Sequence, residues 1–218
     1  MEKFRNKFKK FGGNHIPDII EYLKEYIKKE PGVTISVGCD SIQKMRKTIY
    51  AITIMMYSGD IRNGAHVVFF RERIPKVKET QERLYKESLW CLDVANFLND
   101  SLQPFYKRKD LCDYEQKRYK YHLLRCDGEF SHVPPQQESN IISNLTLTSN
   151  DQVESKLVDI HLDFNPFEGT QHKRGVSRNR SHLAYKSYVG WLRGLGFRVW
   201  AKPESHASSS AADLLLKD

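Results

Sequence analysis

Val33-Thr-Ile-Ser-Val-Gly-Cys-Asp-Ser41 is the stretch on which the fold turns. Its residues alternate between an apolar face (Val33, Ile35, Val37, Cys39) and a small or polar one, the period of a β-strand with one side in a core. Asp40 lies on the second face, near the strand's end. Acids usually keep to solvent, so a carboxylate closing a buried strand needs a reason. Asp-Ser is a common turn opening and supplies one; a bound divalent cation supplies another.

Upstream, Ile16, Ile19, Ile20, Leu23, Tyr26 and Ile27 recur at helical spacing with charged residues opposite, and Pro31-Gly32 ends that amphipathic helix before the strand begins. Downstream, Thr48 to Tyr57 and Ala65 to Ile74 are dense in Ile, Val, Thr, Tyr and Phe. Short connections at Gln43 to Lys47 and Ser58 to Gly64 make an antiparallel meander of the three strands. From Lys78 to Asn99 the period becomes helical, with Leu84, Cys91, Val94, Ala95 and Leu98 on one stripe. Glu87 falls on that stripe. A phase drift over five turns would bring Glu79 or Glu82 there instead.

Residues 101–155 are rich first in charge and tyrosine (Tyr106 to Tyr121) and then in polar residues with Pro134-Pro135, the pattern of an insertion that is helical at first and loop-like later. Leu157-Val-Asp-Ile-His-Leu-Asp-Phe164 is again a strand, with Val158, Ile160, Leu162 and Phe164 on one side and Asp159, His161 and Asp163 on the other. A basic loop follows, then a helix from Ser181 to Leu195 stopped by Gly196, a short strand Phe197 to Ala201, and a final helix Ser208 to Lys217 that carries Asp213.

The 218 residues suffice for one α/β domain with an insertion. Lys+Arg of 35 against Asp+Glu of 27 leaves a formal charge of +8, which favours a polyanionic partner such as nucleic acid. No run reaches the length of a membrane span, and the basic N-terminus is not followed by a signal-peptide core, so a cytoplasmic protein is expected. Four widely spaced cysteines argue for reduced thiols.

Val37-Gly-Cys-Asp-Ser41, Leu84-Tyr-Lys-Glu-Ser88, Ile160-His-Leu-Asp163 and Lys202-Pro-Glu-Ser-His-Ala-Ser-Ser-Ser-Ala-Ala-Asp213, in this order and between these elements, resemble the motifs of a small bacterial and phage family of predicted ribonuclease H-like nucleases. The resemblance implies a ribonuclease H-like α/β fold: a five-stranded mixed sheet with helices on both faces and an insertion between the first core helix and the fourth strand. Residues 1–32 would form an N-terminal helical extension and 33–218 the domain, interrupted by 101–155. The fourth strand would lie parallel to the first, making Asp40 and Asp163 neighbours. By the same resemblance Asp40, Glu87, Asp163 and Asp213 would hold two Mg²⁺ or Mn²⁺ ions, about 3.5 to 4 Å apart in such sites, for phosphodiester hydrolysis. His206, just before the last helix, would assist product release.

On these terms the expected activity is cleavage of RNA, an RNA–DNA hybrid or structured DNA. The alternatives are a non-catalytic nucleic-acid-binding or assembly protein of the same fold, or a dimeric junction-resolvase-type nuclease. His161 shares a face with Asp163 and is expected to support the ligands rather than bind metal. Asp159 lies further from the strand end and suits a pair with a basic side chain. Cys112, His122, Cys126 and His132 lack the close Cys pair of structural zinc. Trp90, Trp191 and Trp200 read as packing residues. Lys107, Arg108, Lys117 and Arg118, with tyrosines between them to stack on bases, and Lys173, Arg174, Arg178 and Arg180 of the loop are the candidate nucleic-acid contacts. For the first group a solvated charged helix is an equal alternative.

Overall fold

A computed structural model describes residues 2–57, 64–103, 105–106, 113–129, 133–148, 156–167, 181–202 and 204–217. Lys107, Arg108 and the loop residues Lys173, Arg174, Arg178 and Arg180 lie outside them. Six strands, β1 (Lys9–Lys10), β2 (Thr34–Lys44), β3 (Lys47–Tyr57), β4 (His66–Pro75), β5 (Val158–Leu162) and β6 (Val199–Trp200), form one sheet in the order β1-β4-β3-β2-β5-β6. The meander β2–β3–β4 is antiparallel, and β5 and β6 continue the sheet in parallel from β2. The expected five strands are joined by a sixth, β1, paired antiparallel with β4. A two-residue strand whose lysines are both exposed leaves no alternation to read.

The helices are α1 (Ile19–Lys29), α2 (Thr80–Leu102), α3 (Asp113–Cys126), α4 (Pro135–Asn144), α5 (Ser181–Gly194) and α6 (Asp213–Lys217). Asp18 caps α1 by accepting from the Ile20 and Glu21 N–H groups at 2.8 and 3.3 Å. One face of the sheet carries the main core: Ile35, Val37 and Cys39 of β2 and Val158, Ile160 and Leu162 of β5 pack with Leu84, Val94 and Leu98 of α2 and Val189 and Leu192 of α5. Phe4 and Phe8 join this core beside Phe70. On the other face Ala51 meets Ala212, Leu215 and Leu216, and Met55 and Tyr57 meet Ala207. No helix among the described residues is long and apolar enough to cross a membrane.

The chain between α2 and β5 departs from its expected form. Its second half contains helix α4, packed on α3 through contacts that include a Lys117 Nζ bond to the Ser143 carbonyl at 3.0 Å. Tyr106, Tyr119 and Tyr121 are buried rather than displayed for stacking on bases. Tyr119 Oη and His122 Nε2 accept the Val199 and Ala201 N–H groups at 3.2 and 3.1 Å, so α3 satisfies donors on the outer edge of β6, an edge otherwise open to pairing.

The last helix also differs from a plain α-helix. Ala207–Ala212 forms a π-helical turn that runs into α6, with the Asp213 N–H reaching back five residues to the Ser208 carbonyl. The turn is clamped at its first residue. His161 Nδ1 accepts the Ala207 N–H at 3.2 Å, and Thr53 Oγ1 donates to the Ala207 carbonyl at 2.7 Å. Beneath it lies Gly38, where a Cβ would stand 2.4 Å from the Ala207 carbonyl carbon and 2.5 Å from the Ser208 nitrogen. Backbone cannot yield as a flexible side chain would. Gly38→Ala should therefore destabilise the chain by about 1–3 kcal/mol or more, lowering Tm by roughly 2–10 °C. Thermal unfolding followed by circular dichroism checks this, and a Tm within about a degree of wild type would contradict the clamp.

Candidate active site

The parallel register of β2 and β5 pairs Gly38 with His161 and Cys39 with Leu162, and its next step sets Asp163 beside Asp40. β5 ends at Leu162 while β2 runs on to Lys44, so both carboxylates stand where the sheet loses a strand. α2 brings Glu87 to the same place from the main-core face; it is only 2% exposed. Glu79 and Glu82 are exposed, and Glu82 pairs with Lys86 at 3.4 Å, so Glu87 is the acid that this helix turns inward. Asp213 arrives from the opposite face at the start of α6.

Asp40, Glu87 and Asp163 each have a polar partner from the protein. Asp40 Oδ1 accepts from the Ser41 N–H at 2.7 Å. Ser41 Oγ donates to Glu87 Oε1 at 2.5 Å, and Arg83 Nη1 donates to the Ser41 carbonyl and hydroxyl at 2.9 and 3.0 Å while standing 3.8 Å from Glu87 Oε1. Lys202 Nζ lies 2.9 Å from Asp163 Oδ2. Asp163 Oδ1 is buried and has no hydrogen-bond partner among the described residues.

These partners do not offset the cost of gathering the acids. Burial, with the charges of Asp163 and Asp213 added, pushes Asp40 up to about 6 despite the Ser41 N–H and Arg83. Burial and the Asp40 charge push Glu87 up to about 8 against the Ser41 hydroxyl and Arg83. Asp163 is raised by burial and by Asp213, with Lys202 opposing. Asp40 thus lies within reach of the fields of the other three carboxylates. No three His, Cys, Asp or Glu side chains among the described residues are drawn together as a formed metal-binding group. An orphaned carboxylate oxygen and an all-oxygen donor set nonetheless fit Mg²⁺ or Mn²⁺ in chemistry, since a divalent cation inverts the electrostatics that now raise these acids.

His161 is buried, and its Nδ1 accepts the Ala207 N–H and so holds the terminal helical turn. His206 is exposed at the residue before that turn. Asp159 is held by Arg198 through Nε at 3.0 Å and Nη2 at 2.8 Å and by Trp200 Nε1 at 3.1 Å. Lys117 is tied to α4, and the Arg118 guanidinium sits over the Trp200 ring at 5.7 Å, so both are engaged within the protein. Trp191 is exposed on α5 beside Tyr85, unlike the packed Trp90 and Trp200. Arg83, Ser41 and Lys202 escaped the sequence reading. The Arg83/Glu87 spacing of four on a helix was the available signal.

A family model described as Ribonuclease H-like matches residues 17–117, the span from α1 through the meander and α2 into α3. With the sheet order found here, the match supports placing the chain in the ribonuclease H-like superfamily. No curated protein and no solved structure matches it.

The raised carboxyls set a pH dependence. Both titrate higher in the folded chain than in the unfolded one, so the folded state holds more protons and stability falls as pH rises. In metal-free protein their contribution is fully present below about pH 4 and is lost as pH climbs through about 6 for Asp40 and about 8 for Glu87. Glu87→Gln retains an acceptor for Ser41 Oγ and should flatten this fall, melting above wild type near about pH 9 in EDTA. Melting curves across pH in EDTA decide it; a deficit of equal size at every pH would refute the buried charge.

Proposed function

We propose that the chain is a metal-dependent nuclease that hydrolyses phosphodiester bonds in RNA, an RNA–DNA hybrid or structured DNA, using Asp40, Glu87, Asp163 and Asp213. The observation that supports this most is the elevation of Asp40, Glu87 and Asp163, brought by β2, the end of β5 and α2 to the point where β5 ends beside β2, with the Asp213 charge from α6 adding to that of Asp40 and Asp163. A protein has little use for such a cluster unless cations complete it.

Divalent ions held there would act as Lewis acids, lowering the pKa of an attacking water and stabilising the leaving oxygen. Asp40 is placed centrally, since its carboxyl feels both Asp163 and Asp213 and also acts on Glu87. Arg83 and Ser41 hold the Glu87 carboxylate in one orientation. Lys202 supplies positive charge beside Asp163. In this reading the basic residues Lys173, Arg174, Arg178 and Arg180, which follow Asp163 in the chain, contact substrate phosphates, and His206 assists product departure.

Incubation of wild type and Asp40→Asn with labelled single-stranded RNA, hybrid, duplex DNA and a four-way junction, in Mg²⁺ or Mn²⁺, tests the reading. Asp40→Asn should lose at least the roughly 10–100-fold that supporting partners alone cost at metal sites, in both cleavage and calorimetric Mn²⁺ affinity. Cleavage untouched by the substitution would reject the site. Tight, salt-sensitive binding of nucleic acid without cleavage of any substrate would favour the binding-protein alternative.

A further inference from the structure

The β2–β3 connection is a two-residue turn, Met45-Arg46, closed by the register pair Lys44 and Lys47. Four features of this tip oppose hairpin stability. Lysines face each other across the strands. Met45 adopts φ 49°, a conformation that favours Gly or Asn. Its side chain is 92% exposed. The exit of β4 adds more positive charge, because the Lys76 N–H donates to the Arg46 carbonyl at 3.0 Å and Lys78 follows two residues on. Lys44, Arg46, Lys47, Lys76 and Lys78 are all exposed, and none is in an ion pair with a carboxylate of the described residues.

The tip also has a defined place relative to the acids. β2 and β3 continue past the end of β5, so the hairpin overhangs the carboxylate cluster. Four residues of strand from Asp40 to Lys44 span about 13 Å. That is close to four base steps at ~3.4 Å each.

We infer that the β2–β3 hairpin tip is a nucleic-acid contact: Lys44, Arg46 and Lys47, backed by Lys76 and Lys78, neutralise phosphates, and Met45 packs against a base or sugar. The inference rests on the nuclease reading for its choice of partner. Cations at this density suit a polyanion, and an apolar side chain at their apex suits one that also offers stacked faces, as apolar wedges do in other nucleic-acid binders. An acidic polypeptide would supply the charge without the stacked faces.

Fluorescence anisotropy with labelled hybrid and single-stranded RNA, in EDTA and across a KCl series, tests it. The Lys44→Gln/Arg46→Gln/Lys47→Gln variant should bind at least about tenfold more weakly at low salt. Its log–log salt slope should shrink by up to about 0.9 per lost contact on duplex, or about 0.7 on single strands. Met45→Gly should move two readouts in opposite directions, raising Tm by relieving the turn while weakening binding severalfold with the salt slope unchanged. A purely structural hairpin would gain stability and keep its affinity. Circular dichroism of each variant reports its folding.

Wild-type binding with an unaltered slope in the triple variant would overturn the hairpin contact and leave the carboxylate site standing. Absence of any wild-type binding would overturn the hairpin contact, whereas the carboxylate site stands or falls on cleavage by Asp40→Asn in Mg²⁺ or Mn²⁺. Competition by poly-glutamate as effective as by RNA would overturn nucleic acid as the partner, and undiminished affinity in Met45→Gly would remove the role of Met45.

Discussion

The parallel pairing of β2 with β5 is the constraint on which the rest depends. Parallel neighbours cannot be joined by a tight hairpin, so the chain must leave the meander, cross the sheet and return. The crossover begins with α2, which delivers Glu87, and the return strand delivers Asp163 to the position beside Asp40. One topological requirement thus gathers three acids. Desolvation and like charge oppose that gathering, while the Ser41 N–H and hydroxyl, Arg83 and Lys202 favour it. The sign of the outcome is visible in the carboxyls themselves, which remain raised after every partner has acted. What the protein supplies is too little positive charge for what it has buried.

The fourth acid depends on a different device. Asp213 is carried by a segment whose sequence, Ala207-Ser-Ser-Ser-Ala-Ala212, consists of residues small enough to lie flush on the sheet over Gly38. Close approach leaves the first backbone groups without room for water, and His161 and Thr53 take up the N–H and carbonyl of Ala207. Successive outward positions of β5 therefore have separate tasks: Asp159 joins β6 through Arg198, His161 fixes the π turn, and Asp163 enters the cluster. A buried pair such as Asp159–Arg198 adds little net stability over apolar packing. Its bidentate geometry instead aligns a two-residue edge strand whose outer donors α3 then satisfies.

Period-two alternation was enough to put Asp40 and Asp163 on the same face of their strands, and the helical stripe was enough to prefer Glu87 over Glu79 and Glu82. Those signals are local and repeat over many residues. The unread features lack such repetition. β1 is two residues long, the π turn shows no period of its own, and Met45-Arg46 closes a hairpin without the Asn-Gly that marks such turns. Tyr119 of α3 looked solvent-facing because its partner is the edge of β6, which contributes backbone rather than an apolar stripe. His161 was legible as a residue of the Asp163 face, yet its partner is a backbone amide forty-six residues away that no local pattern announces.

The electrostatics change sign along the second half of β2: acids gather at Asp40, and exposed cations gather four residues on at Lys44. On the proposed reading a polyanion drawn to the hairpin is repelled by the carboxylates until cations occupy them, and cations are held more tightly once phosphate oxygens lie close by. Such coupling is reciprocal in free energy: whatever factor metal adds to nucleic-acid affinity, nucleic acid must add to metal affinity. The raised acids in the metal-free chain therefore do more than mark a site. On that reading the charge that burial leaves uncompensated would be the means by which metal and nucleic acid depend on each other.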